Sequence, residues 1–151
     1  MHNASGSRRR DINMKTSANK KLEFSARLEN YFRDKENICL ALLFGSYAAE
    51  RGTAESDVDI AILFQTPPDF YGLQALRDEL EVLLKRDVDI AVLNTASPIL
   101  KMQVLKNGLV IYDKEVKYFN RFTIDTVNQY SDLKMIRKKA EENILRGRIY
   151  A

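Results

Sequence analysis

Two seven-residue segments, Asp57-Val58-Asp59-Ile60-Ala61-Ile62-Leu63 and Asp87-Val88-Asp89-Ile90-Ala91-Val92-Leu93, agree at six of seven positions and lie 30 residues apart. Each is a short, unbroken aliphatic run headed by two carboxylates. A run of this length reads as a strand buried on both faces. Two copies do not make a solenoid, so the shared aliphatics are read as two core strands of like composition. That reading leaves the carboxylates unexplained.

The rest of the chain alternates between the two periods. Ile38–Phe44 is a third buried run, closed by Gly45-Ser46, and Leu109–Tyr112 is a short fourth. Between them the apolar residues recur at helical spacing: Phe24, Leu28 and Phe32 over 22–35, then Leu73, Leu76, Leu80, Leu83 and Leu84 over 71–86. Ser97-Pro98 supplies an N-cap and a first helical residue for a helix that Asn107-Gly108 ends. From Glu115 to about Arg146 one long helix is expected, with Phe119, Phe122, Leu133, Ile136, Ala140 and Ile144 on one stripe, of which Phe119, Phe122, Leu133 and Ile136, with Tyr130, read as core packing in preference to a partner surface. Strands alternating with helices predict an α/β domain over residues 21–151. Residues 1–20, rich in Ser, Asn, Arg and Lys, are expected to form a flexible basic tail.

Composition removes several chemistries. The lone His2 excludes serine-type triads and histidine metal sites, and the lone Cys39, inside an apolar run, reads as a buried small hydrophobe. No apolar stretch approaches the roughly 20 residues of a membrane span, and no apolar segment follows the basic start as in a secretory signal. A cytoplasmic protein with no membrane contact is expected. The net charge of +3 is uneven: residues 22–133 hold 12 basic and 18 acidic side chains, and the excess of Lys and Arg sits at the two ends. An acidic body is a poor footprint for nucleic acid.

Asp57 and Asp59 are two apart at a strand start, so they share a face. Two like charges beside an apolar strand are costly unless a cation joins them. Oxygen-only ligation suits Mg²⁺ or Mn²⁺, and Asp89, heading the next apolar strand, could reach the same ion. Gly45 permits close backbone approach, and a helix starting at Ser46 or Tyr47 would offer free N–H groups to a phosphate. Gly45-Ser46, ten residues, then Asp57-Val58-Asp59 thus sets a phosphate cradle beside a carboxylate pair. These are the parts of metal-assisted phosphoryl or nucleotidyl transfer.

Leu43-Phe44-Gly45-Ser46-Tyr47-Ala48, followed by Glu55-Ser56-Asp57-Val58-Asp59-Ile60-Ala61, resembles the signature of the minimal nucleotidyltransferases of the DNA polymerase β superfamily. Val88-Asp89-Ile90, the segment Lys106–Tyr112 and the pair Arg121-Phe122 with Tyr130–Lys134 extend the resemblance over about residues 22–148, toward the antitoxins of HEPN/MNT toxin–antitoxin modules. The resemblance implies a small mixed sheet flanked by helices, with a long C-terminal helix. It assigns Asp57, Asp59 and Asp89 as metal ligands for two Mg²⁺ ions, with Asp89 alternatively taking the proton of the attacking hydroxyl. Gly45 and Ser46 would hold the outer phosphates of ATP. Arg51 would join them, although Arg51-Gly52 stand two residues later than the related pair, behind Ala49-Glu50. The implied reaction is transfer of AMP from ATP to a tyrosine of a HEPN RNase toxin. Two other readings stay open: a nucleotidyltransferase acting on a small molecule or nucleic acid, and an antitoxin that acts by binding alone. A homodimer and a hetero-oligomer with the toxin are likewise both open.

Overall fold

The computed structural model describes residues 23–45 and 57–150, with side chains to residue 147. The expected tail over 1–20 lies outside the described residues, as do Ser46 and Arg51. The aliphatic runs become four strands: β1 (Ile38–Phe44), β2 (Val58–Phe64), β3 (Val88–Val92) and β4 (Leu109–Asp113). Four helices accompany them: α1 over described residues 23–33, α2 (Phe70–Leu84), α3 (Pro98–Asn107) and α4 (Tyr118–Tyr150).

The strands form one mixed sheet in the order β3-β2-β1-β4, in which β1 is antiparallel to both neighbours and β2 runs parallel to β3. The two similar heptapeptides are therefore neighbours, in register at their common offset: Asp59 faces Asp89, Ile60 faces Ile90 and Ala61 faces Ala91. The parallel connection runs through α2, as a βαβ unit requires. Asn94 then stands in for a further ladder residue, its side-chain amide donating to the Phe64 carbonyl at 2.8 Å and its oxygen accepting from the Phe64 N–H at 2.9 Å.

Burial on both faces explains the unbroken aliphatic runs. One face carries Ala41, Leu43, Ile60 and Ile62 against Leu28 and Phe32 of α1 and Leu76, Leu80 and Leu84 of α2. The other carries Leu40, Leu42, Ala61 and Leu93 against Val104 of α3 and Phe122 of α4. Cys39 is buried, as its apolar neighbours suggest. Each such aliphatic side chain contributes on the order of 1.5–3 kcal/mol by leaving water.

The caps act where the sequence places them. The Ser97 hydroxyl accepts from the Leu100 N–H at 3.2 Å, with Pro98 opening α3. At its end the Gly108 N–H donates to the Val104 carbonyl at 2.7 Å, and a Cβ on Gly108 would stand 2.3 Å from that oxygen. The first described helix is tied to α2 by polar contacts: Glu79 accepts from the Tyr31 hydroxyl and from Lys35 Nζ, the latter at 3.1 Å.

The long helix departs from expectation at both ends. It begins at Tyr118 rather than Glu115, because Val116 adopts a positive φ of 62° and the Asp113 carboxylate accepts from the N–H groups of Tyr118 and Phe119. Its stripe is not core throughout. Phe122 is buried, Phe119 and Leu133 are half-buried, and Ile136 and Ile144 are 64% and 60% exposed. The helix crosses the sheet with its first turns only and then outruns it.

Candidate active site

The antiparallel pairing of β1 with β2 and the parallel pairing of β2 with β3 bring three chain segments to one edge of the sheet. The end of β1 meets the starts of β2 and β3 there. Phe44 is opposite Asp59, and Asp59 is opposite Asp89. Asp57 lies one residue before β2 and is exposed; the Val58 N–H donates to the Asp87 carbonyl at 2.8 Å, which starts the ladder. Asp59 is half-buried, whereas the Asp89 side chain is 60% exposed.

Gly45 closes β1 with φ +73°, a left-handed conformation that side-chain-bearing residues avoid. A Cβ built there would fall 2.2 Å from Asp59 Oδ2 and 3.0 Å from its Cγ. The glycine is thus the space into which the Asp59 carboxylate is packed. Sequence reasoning assigned Gly45 to close approach of a phosphate; what the structure shows against its Cα is the carboxylate.

Burial raises the proton affinity of Asp59 above the ordinary carboxylate value, and the nearby charges of Asp89 and Asp57 raise it further. The three carboxylates therefore share one electrostatic environment, as expected when like charges are held together. Among the described residues, no three His, Cys, Asp or Glu side chains close into a metal cage. The arrangement still fits a hard divalent cation: the donors are all carboxylate oxygens, and their mutual repulsion is the energy such an ion would relieve.

One cation in this neighbourhood was not foreseen. Arg77, on α2, places its guanidinium 4.0 Å from Asp89 Oδ1 and donates from Nε to Glu81 at 3.2 Å. Glu81 also accepts from the Val88 N–H at 3.2 Å. Arg77 and Glu81 thus brace the start of β3, from which Asp89 projects. Arg77 precedes Asp89 by twelve positions, and only the packing of α2 on β3 brings them together.

Known proteins resemble this chain in sequence and fold. The protein adenylyltransferase MntA of Shewanella oneidensis is 29% identical over 106 residues, covering 70% of this chain and 76% of that one. A chain of a toxin–antitoxin complex solved with AMP-PNP superposes with a TM-score of 0.69 at 27% identity, covering 80% of this chain and 98% of the other. A chain from the complex of a tri-AMPylated Shewanella oneidensis HEPN toxin with an MNT antitoxin gives a TM-score of 0.66 at 25% identity, covering 83% and 98%. The mixed sheet, its flanking helices and the edge that gathers Gly45, Asp57, Asp59 and Asp89 form a polymerase β-like nucleotidyltransferase fold. The pattern of the Polymerase beta nucleotidyltransferase family matches residues 26–117, and the chain belongs to that family.

Proposed function

We propose that the protein is an antitoxin that transfers AMP from ATP to a tyrosine of a partner HEPN RNase toxin and so silences it. The observation that carries the reading is the packing of the Asp59 carboxylate into the space left by Gly45, in register with Asp89. The likeness to toxin–antitoxin chains, one solved with AMP-PNP and one with an AMPylated toxin, supports the nucleotide and the acceptor. The catalytic unit is taken as one domain over residues 21–151, acting in the cytoplasm where ATP and toxin meet.

Asp57, Asp59 and Asp89 would hold Mg²⁺, two ions in the full site. Bound there, the metal supplies charge neutralisation for the triphosphate and acidity for the attacking hydroxyl. The protein's own groups do the rest. The backbone at Gly45, with Ser46 and Arg51, holds the outer phosphates. Arg77, 4.0 Å from Asp89, and Glu81, which accepts from the Val88 N–H, steady the start of β3 from which Asp89 projects. The tyrosine oxygen then bonds to the α-phosphorus, the bond from that phosphorus to the bridging oxygen breaks, and pyrophosphate leaves. The phenolic proton passes to a carboxylate oxygen at Asp89 where Asp57 and Asp59 alone hold the metal, the alternative to Asp89 serving as a ligand.

Incubation with α-labelled ATP, Mg²⁺ and a HEPN-domain RNase toxin from the same organism tests the reading. Label on the HEPN protein is expected. Label on a small molecule or RNA instead would redirect the assignment, and toxin neutralised without label would make the protein an antitoxin that acts by occlusion.

A further inference from the structure

The second half of α4 packs against nothing in the described structure. The helix has 33 residues, about 50 Å at 1.5 Å per residue. Its contact with the body ends near Thr126, which is buried, and Gln129, whose side chain accepts from Lys101 Nζ at 3.1 Å. Beyond that point Met135, Ile136, Ile144 and Leu145 are 58–64% exposed. The family match ends at residue 117, before α4 begins. The projecting half of this helix thus lies outside the segment that the family pattern matches.

Its projecting part is organised. Leu133, Ile136, Ala140, Ile144 and Gly147 recur at three- and four-residue steps, which places them in one seam about 20 Å long. A Cβ on Gly147 would meet no atom within 4 Å, and Ala140 is exposed. Small residues among larger ones let a second helix approach closely. Helical spacing puts Lys134 and Arg137 along one border of the seam and Lys139 and Arg146 along the other, with Glu141 and Asp132 the acidic exceptions, one on each border. No ion pair among the described residues uses these four cations.

We infer that the projecting half of α4 is a docking surface for a protein partner that presents an apolar helix bordered by carboxylates. Charge selects this occupant. A second copy would set the same four cations against one another, whereas an acidic border complements them. Resting on the proposed function, the inference makes this partner the AMP acceptor itself, gripped on α4 while its tyrosine reaches the carboxylate edge.

The test uses the full chain, the HEPN protein of the labelling assay above and the double variant Ile136→Asp/Ile144→Asp, with a charge variant Lys139→Glu/Arg146→Glu. All four positions are exposed, so helix content by circular dichroism should match the wild type. The expected result is at least a tenfold rise in Kd for the HEPN protein in the first variant, and a rise that shrinks at high salt in the second. AMP-PNP affinity should be unchanged. AMP transfer should show a raised KM for the HEPN protein with kcat retained. Unchanged Kd and KM in the double variant, while the HEPN protein is still modified, would overturn the docking surface and leave the proposed function intact. A wild type that neither binds nor modifies the HEPN protein would overturn both. Concentration-dependent dimerisation in sedimentation, abolished by the double variant, would reassign the seam to a second copy.

Discussion

Replacing Gly45 by Ala should disable the enzyme through Asp59, not through the nucleotide alone. Two costs act together. The left-handed φ of +73° costs a residue with a side chain about 1–2 kcal/mol. The new Cβ would also stand 2.2 Å from Asp59 Oδ2, so the carboxylate must rotate, at about 0.5–1.5 kcal/mol for an off-rotamer χ. Together these predict a loss of about 2–3 kcal/mol, or a fall in Tm of roughly 4–10 °C for a domain of this size. Displacing a catalytic oxygen by about 1 Å can cost on the order of 100-fold in rate. Gly45→Asn separates the two effects, because Asn tolerates the left-handed region but still carries the colliding Cβ. We expect Asn to recover part of the Tm and none of the transfer rate, measured by AMP incorporation at saturating ATP. Wild-type transfer by either variant would refute the argument that Gly45 exists to seat Asp59.

Four further outcomes follow from the same structure. Asp57→Asn and Asp59→Asn should each abolish most AMP transfer while leaving Tm equal or slightly higher, since each relieves like-charge repulsion; a marked drop in Tm would mean the carboxylates are structural. Arg77→Ala should lower kcat several-fold with AMP-PNP binding retained, and should add little to Asp89→Asn, because both act on one carboxylate; full additivity of the two would contradict the bracing role. Thr126→Val should raise Tm by about 2–4 °C, because the Thr126 hydroxyl is buried with no hydrogen-bond partner among the described residues and its isostere removes a polar group left unpaired. Glu79 has its proton affinity lowered by the Tyr31 and Lys35 hydrogen bonds and by the Lys35 charge. A depressed carboxylate stabilises the fold above its ordinary value of 4.5, and that contribution is lost as pH falls through the lower folded value. The Tm difference between wild type and Glu79→Gln should therefore narrow below about pH 4.5; a gap that widens on acidification would reverse the sign.

The sheet was legible because its strands are buried on both faces. An unbroken aliphatic run has few alternatives, so Ile38–Phe44 matches its expected bounds and Val58–Phe64 takes up the aliphatic part of the first heptapeptide. The near-repeat also carried more than composition, since its two copies turned out to be paired strands with Asp59 against Asp89. Periodicity along α4 fared less well. A stripe that runs on to Ile136 and Ile144 records which side of a helix is apolar but not what covers it, and among the described residues the body of the protein does not cover these two. The contact between Gly45 and Asp59 was hidden for another reason. Fourteen positions separate them in the sequence, and only the antiparallel register of β1 and β2 brings them together. Arg77 was missed because nothing in an amphipathic helix marks which exposed cation will overlie a neighbouring strand end. The roles of Ser46 and Arg51 fall outside the described residues and stand as part of the proposal.

The central claim is that the edge built from Gly45, Asp57, Asp59 and Asp89 attaches AMP to a tyrosine of a HEPN toxin. Intact-mass and peptide mass spectrometry of that toxin, co-expressed with the wild-type protein or with its Asp59→Asn variant, tests it most directly. The account predicts whole AMP increments on toxin tyrosine with the wild type, loss of RNase activity in step with them, and unmodified, active toxin with the variant. Unmodified toxin that is nonetheless silenced, equally by wild type and variant, would contradict it.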